Sequence, residues 1–166
     1  MNKGKLNLAV KRTKTGLGLF TLVPIPQGQR IIEYTGPIVT AEEATQRGGK
    51  YYFELDDKHM IDGSSHDNQA RYLNHSCRPN AKAYISGRRI WIWSLRRLKA
   101  DEEITIDYGR DYLESHIQRC KCDSCTPAQE SKEEHNIRFS LDHLPLHPQP
   151  DAAMGSIKAQ ISRHTH

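Results

Sequence analysis

The chain has 166 residues, 36% of them hydrophobic, and its 24 basic and 20 acidic side chains leave a formal charge of +4. That length holds one domain and a short appendage, and a mean hydropathy of −0.74 is low for a chain packed throughout, so part of it is expected to be tail. No apolar run approaches the roughly 20 residues needed to cross a bilayer, and the start, Met1 to Lys14, with five basic residues and no acidic one, is too polar for a signal-peptide core.

Residues 6–12 form a short mixed run ending at Thr13-Lys14-Thr15-Gly16-Leu17-Gly18. A Gly-x-Gly between strand-like segments reads as a hairpin turn. No third glycine and no helix start follow, which argues against the dinucleotide-binding fingerprint. Pro24-Ile25-Pro26-Gln27-Gly28 is a turn by its Pro and Gly chemistry. Arg30 to Gly36 reads as a strand closed by a glycine, and Pro37-Ile38-Val39 continues it in extended form. Thr40 with Glu43 is a capping box opening a short helix that Gly48-Gly49 ends. Tyr51–Leu55 and His59–Gly63 read as two strands joined at Asp56-Asp57-Lys58.

Arg71 to Asn80, Arg-Tyr-Leu-Asn-His-Ser-Cys-Arg-Pro-Asn, is a compact polar stretch flanked by strand-like apolar runs. Asn74, His75, Ser76 and Asn80 bring donors and acceptors able to satisfy buried backbone, and Pro79 forces Arg78 out of helix. A solvated turn is the competing reading on local composition. After it, a Ser86-Gly87 turn followed by an Ile/Trp alternation marks a hairpin over Ala83–Trp93. Trp91 and Trp93 share one face of its strand, packing on the sheet surface or in the core, and Ile90 and Ile92 share the other. Leu95–Leu98 continues extended, Ala100-Asp101 turns, and Glu102-Glu103-Ile104-Thr105 begins a strand that ends at Gly109. Arg110–Gln118 reads as a short helix. Beyond Thr126, prolines 127, 145, 148 and 150 and five of the nine histidines dominate. Residues 128–166 are expected to be mostly disordered, with a short docking segment around 137–144.

The four cysteines admit three disulfide pairings. A Cys120–Cys122 bridge would be strained, and no secretory signal provides an oxidising compartment. Cys120-x-Cys122-x-x-Cys125 offers three thiolates from one loop, a closed structural zinc site takes four, and Cys77 is the cysteine that remains. Arg78, Arg119 and Lys121 stand beside them to offset the charge of a four-thiolate centre; free buried thiols are the alternative. The positive excess lies in residues 1–126, with 20 basic and 15 acidic side chains against 4 and 5 in the remainder. A solvated basic face explains this more commonly than a polyanionic partner does.

Asn74-His75-Ser76-Cys77-x-Pro79-Asn80 resembles the Asn-His-Ser-Cys-x-Pro-Asn signature of SET-domain lysine methyltransferases. Glu102-Glu103-Ile104-Thr105-x-Asp107-Tyr108 resembles their Glu-Glu-Leu-Thr-x-Asp-Tyr strand, and Glu33-Tyr34-Thr35-Gly36 their Glu-Tyr-x-Gly. The resemblance spans Thr13 to about Cys125. It implies a mostly β fold of the β-clip type, with several small sheets, a pseudoknot and few short helices. The implied organisation is a SET domain at 1–114, a post-SET zinc-binding segment at 115–127 and a polar tail at 128–166.

The implied activity is S-adenosylmethionine-dependent methylation of the ε-amine of lysine in a histone-like or other basic protein. By resemblance, Tyr108 supplies the catalytic hydroxyl and Tyr34 helps line the lysine channel. Gly16, Leu17 and Gly18 let the backbone approach the methionine part of the cofactor, and Asn74 and His75 hold its adenine and amino-acid parts. Tyr51 matches an aromatic that touches the cofactor, with Tyr52 the alternative because register is open. Zinc in the post-SET segment is structural and borrows Cys77. Two departures stand out: no cysteine-rich segment precedes the match, and Ile106 occupies a position where many members have Phe or Tyr, which leaves the number of methyls open. Expected partners are a protein presenting a lysine, with chromatin or nucleoid association and no membrane, in a reducing intracellular compartment (cytoplasm or nucleus). Two other readings compete: a non-catalytic interaction module on the same fold, and a small basic zinc protein for nucleic acid. The latter would leave Asn-His-Ser and Asp-Tyr idle.

Overall fold

Leu8–Thr13 (β1) and Gly16–Thr21 (β2) pair antiparallel, Leu8 opposite Thr21 and Thr13 opposite Gly16. The computed structural model describes residues 6–117, 119–125 and 162–163. The turn of this first hairpin is therefore Lys14-Thr15, and the Gly-x-Gly, expected to form it, instead begins the returning strand.

A second sheet carries Arg30–Tyr34 (β3), Ala81–Ser86 (β8), Arg89–Ser94 (β9) and Ser162–Arg163 (β11) in the order β11-β8-β9-β3. The expected Ile/Trp alternation holds: Ile90 and Ile92 are fully buried, whereas Trp91 and Trp93 lie half-buried on the outer face. There Arg30 and Arg89 sit over the Trp91 ring at 4.3 and 4.6 Å. The β8–β9 turn falls one residue later than expected. Ser86 pairs with Arg89, and Gly87 and Arg88 take φ of 55° and 62°, the left-handed pair whose twist matches that of a two-residue hairpin.

The third sheet, in the order β4-β6-β5, is built from Ile38–Thr40 (β4), Tyr52–Glu54 (β5) and His59–Asp62 (β6). Between β4 and β5 lies the helix Ala41–Arg47 (α1), opened as expected by a capping box. The Glu43 amide donates to Thr40 Oγ1 at 3.1 Å and the Thr40 amide to Glu43 Oε2 at 2.8 Å. Its Ala44 packs with Val39, Tyr52 and Met60 in a small satellite core.

The remaining strands, Asn74–His75 (β7) and Thr105–Ile106 (β10), run parallel, Thr105 beside Asn74 and Ile106 beside His75. Just before β10 the chain bonds to a different partner: the Thr21 amide donates to Glu102 O at 3.0 Å and the Ile104 amide to Leu19 O at 2.7 Å. Residues 102–106 are thus threaded between β2 and β7, consistent with the expected knot, although the regular strand begins at Thr105 and not at Glu102. Buried Asn80 holds the crossing, taking the Thr105 amide on Oδ1 at 2.9 Å and donating from Nδ2 to Glu103 O at 2.7 Å. Arg110–His116 (α2) follows.

The main core joins residues of β2, β3, β8, β9 and β10 with Phe53, Leu73, Leu98 and Tyr112, and Ile106 is part of it. Among the described residues the architecture is mostly β, in several small sheets with two short α-helices. No described helix is long and apolar enough to cross a membrane. The docking segment expected at 137–144 lies outside the described residues.

Candidate active site

Two clefts meet at Tyr108. The larger, about 690 Å³, is lined by Lys14, Thr15, Asn74, His75 and Tyr108 and by the loop leading through Arg119 to Cys122. The smaller, about 380 Å³, shares Thr15, Asn74 and Tyr108 and adds Leu17, Lys50, Tyr51, Arg71, Tyr72 and Tyr112. Both are of a size that encloses a small organic molecule. The lining residues of these two clefts include Lys14, Lys50, Arg71, Arg119 and Lys121 and no carboxylate side chain.

The ring of Tyr108 is gripped between His75 and Tyr112, with centroids 5.5 and 5.1 Å away. Its hydroxyl donates to the Leu73 carbonyl at 2.5 Å. Burial pushes its pKa well above the usual tyrosine value, and Tyr112, Glu103 and Tyr51 add to the shift. The phenol is therefore a neutral group whose proton is already committed, leaving oxygen lone pairs as its remaining capacity.

Asn74 ties three segments together. Its Nδ2 donates to the Leu17 carbonyl at 3.1 Å and to Glu103 Oε1 at 2.7 Å. A Cβ on Gly18 would come within 2.3 Å of that carboxylate and 3.0 Å of the Asn74 amide, so any side chain there would displace the Glu103 side chain. Gly16 has open space around it and needs glycine for its φ of 121° instead. Leu17, between them, reaches the smaller cleft.

The tertiary structure separates the two adjacent tyrosines. Tyr51 lines the smaller cleft, while Tyr52 is buried in the satellite core. Tyr34 is not among the lining residues of either cleft. It is 2% exposed and donates its hydroxyl to the Tyr51 carbonyl at 2.7 Å, bracing the cleft wall from behind. Gly63 makes room for it, since a Cβ there would lie 2.4 Å from the Tyr34 ring.

Arg71 was not singled out from the sequence, although it heads the polar stretch as its first charge. Its guanidinium stacks over Tyr51 at 3.9 Å and bonds the Ser64 carbonyl, and its buried Nε has no hydrogen-bond partner among the described residues. A guanidinium at a cleft wall carries planar paired N–H donors that suit a carboxylate.

Below the larger cleft, His75, Cys77, Cys120 and Cys122 present ligand atoms within 4.8 Å of one another. The sulfur of Cys77 lies 3.8 Å from that of Cys120 and 3.5 Å from that of Cys125. Thiolates around a tetrahedral zinc with bonds near 2.3 Å are about 3.8 Å apart, so the donor set fits the metal. Burial pushes the Cys122 thiol up, but the Cys77 amide, the Cys120 thiol and the amides of Cys125 and Ser124 outweigh it and bring its pKa down to about 6. No cysteine forms a disulfide.

Residues 16–109 match the family model of the SET domain. The chain is 36% identical over 129 residues to the histone-lysine N-methyltransferase Set2 of Drosophila melanogaster, covering 67% of this chain and 5% of that protein. It is 35% identical over 133 residues to histone-lysine N-methyltransferase 2D of Homo sapiens, covering 72% and 2% respectively. It is also 34% identical over 122 residues to the histone-lysine N-methyltransferase SUV39H2 of Xenopus tropicalis, covering 61% and 30%. The matched stretch is thus a small part of each of these relatives.

Proposed function

The chain belongs to the SET-domain family, and from that premise we propose that it transfers methyl groups from S-adenosylmethionine to the ε-amine of lysine in a protein substrate. The observation that carries this is the setting of Tyr108, a neutral hydroxyl with its proton engaged on Leu73 O, at the junction of two clefts. The names of the relatives, all histone-lysine methyltransferases, support a histone-like basic protein as substrate and an association with chromatin.

Lysine, with a pKa of about 10.4, is a nucleophile in only about one molecule in a thousand at neutral pH. A site that methylates it must favour the neutral amine, which desolvation and neighbouring positive charge both do, and must hold its lone pair in line for transfer. When bound, S-adenosylmethionine supplies the methyl group on a positively charged sulfur. Asn74, Leu17 and the main chain of His75 would bind and orient it, Tyr51 would supply a ring face, and the Arg71 guanidinium would receive its carboxylate. Tyr34 keeps Tyr51 in position. With its proton on the Leu73 carbonyl, the Tyr108 oxygen would offer its lone pairs to the group being transferred and limit misaligned approaches, and water would carry off the amine proton. Cys77, Cys120, Cys122 and Cys125 would hold one structural zinc with no open coordination position. In this reading residues 1–114 are the SET domain, 115–127 the zinc-binding segment and 128–166 a tail. Thiolate ligation points to a reducing compartment.

The test is incubation with labelled S-adenosylmethionine and a panel of basic proteins, with mass spectrometry of the modified lysines. Tyr108→Phe is expected to lower the rate by about a hundredfold or more, with cofactor affinity and zinc content nearly unchanged. Transfer by Tyr108→Phe at the unmodified rate would remove Tyr108 from the chemistry. Tight cofactor binding without transfer to any lysine would make the chain an interaction module.

A further inference from the structure

His75 touches both halves of the site with different ring atoms. Its Nδ1 accepts the backbone amide of Tyr108 at 3.2 Å, and its Nε2 lies 3.3 Å from the sulfur of Cys77. The side chain is only 5% exposed. A neutral imidazole has one protonated nitrogen and one acceptor. The Tyr108 N–H pointing at Nδ1 makes that atom the acceptor, so the proton resides on Nε2 and is directed at the Cys77 sulfur. Asp107 is the other charged group facing Nδ1, but its Oδ1 is 3.7 Å away and already takes the Gly109 amide at 2.9 Å.

The same logic decides between two ligand sets. His75 lies close enough to the cysteines to be counted with them. Metal ligation through Nε2 would move the proton to Nδ1, directly against the Tyr108 amide. We infer that His75 is not a ligand but a positioning residue, a tautomer-locked strut that donates to the Cys77 thiolate and accepts from Tyr108, so that the metal loop and the Tyr108 segment set each other's geometry. The inference rests on the proposed zinc and on the proposed role of Tyr108. It accounts for a histidine in this stretch: Asn reproduces its Nδ1 acceptor, Gln reproduces its Nε2 donor, and neither reproduces both.

That pair of substitutions is the experiment. His75→Asn keeps an acceptor oxygen where Nδ1 stands and lacks the donor to Cys77. It is expected to lose roughly ten- to a hundredfold in zinc affinity in chelator competition, with the Tyr108 amide still protected from hydrogen exchange. His75→Gln keeps the donor and lacks the acceptor. It is expected to hold zinc nearly as tightly as the unmodified chain, to exchange the Tyr108 amide faster, and to turn over more slowly. In the zinc-loaded, unmodified protein, ¹⁵N spectra are expected to show the neutral tautomer protonated at Nε2. A ring protonated at Nδ1, or two variants that shift zinc affinity and amide exchange alike, would overturn the strut. Zinc affinity and amide exchange need no turnover, so an absence of methyl transfer would count against the proposed activity and leave the strut standing or falling on its own readouts.

Discussion

Tyr108 keeps its proton across the range in which a lysine loses its own, because burial disfavours the phenolate. A folded-state pKa raised above the ordinary value of about 10 means that ionisation of this residue sets no falling limb below that pH. The transfer rate is therefore expected to climb from pH 7 towards pH 10 with the neutral fraction of the target amine, and a pH–rate profile under single-turnover conditions checks it. A descending limb near neutrality would implicate a different group. Arg71 makes an independent prediction. If its guanidinium receives the cofactor carboxylate, a charge-assisted bond worth about 1.5–3 kcal/mol is lost in Arg71→Met, and affinity in calorimetric titration should fall by roughly ten- to a hundredfold. Unchanged affinity would assign Arg71 to bracing Tyr51 and the Ser64 carbonyl alone.

At the level of elements, β2, β7 and the segment before β10 are joined by one polar clasp: Asn74 Nδ2, Glu103 Oε1 and the Leu17 carbonyl. The backbone of Gly18 leaves the space it occupies. Gly18→Ala places a methyl 2.3 Å from the Glu103 carboxylate, so the clasp must open. The expected cost is about 1–3 kcal/mol, as for other overpacked sites, read from the denaturant midpoint, together with weaker cofactor binding because Leu17 and Asn74 both line the smaller cleft. An Ala variant of native stability would show that the Glu103 side chain swings away freely. By contrast the Lys14–Asp123 pair, which links the β1–β2 turn to the cysteine loop at 2.5 Å, is exposed on both sides, and pairs of that kind contribute little.

Across the molecule, the core and the proposed zinc ligands are different residues. The main core contains no cysteine, and of the four only Cys122 is buried, with Cys77 and Cys125 exposed. Zinc binding free energy becomes local order where a loop has little apolar burial of its own. Chelation is therefore expected to speed exchange of amides in 119–125 and in β7 while those of β3, β8 and β9 keep their protection. Cys122→Ser should give the same map and a zinc content well below one per chain. Global unfolding on chelation would contradict this division.

What the amino-acid order determined by itself is what neighbouring residues decide. The Thr40–Glu43 cap needs only the first turn of a helix, and the Ile/Trp alternation of β9 needs only the two-residue period of a strand, so both were legible without any fold. The Asn-His-Ser-Cys and Asp-Tyr stretches were legible as family signatures, and the parallel pair β7–β10 sets Asn74-His75 beside Thr105-Ile106, immediately ahead of Asp107-Tyr108. Tertiary structure decided the matters that turn on a partner distant in the chain. Tyr51 rather than Tyr52 reaches a cleft because β5 presents Tyr52 to Ala44 and Met60. What a side chain at Gly18 would collide with is set by Glu103, 85 residues on. Arg71 gains its meaning from an N–H that burial leaves unpaired. The proton of His75 is assigned by an amide 33 residues away. None of these has a local signal, because a hydrogen bond's direction and a cavity's wall exist only once segments far apart in sequence have been brought into contact.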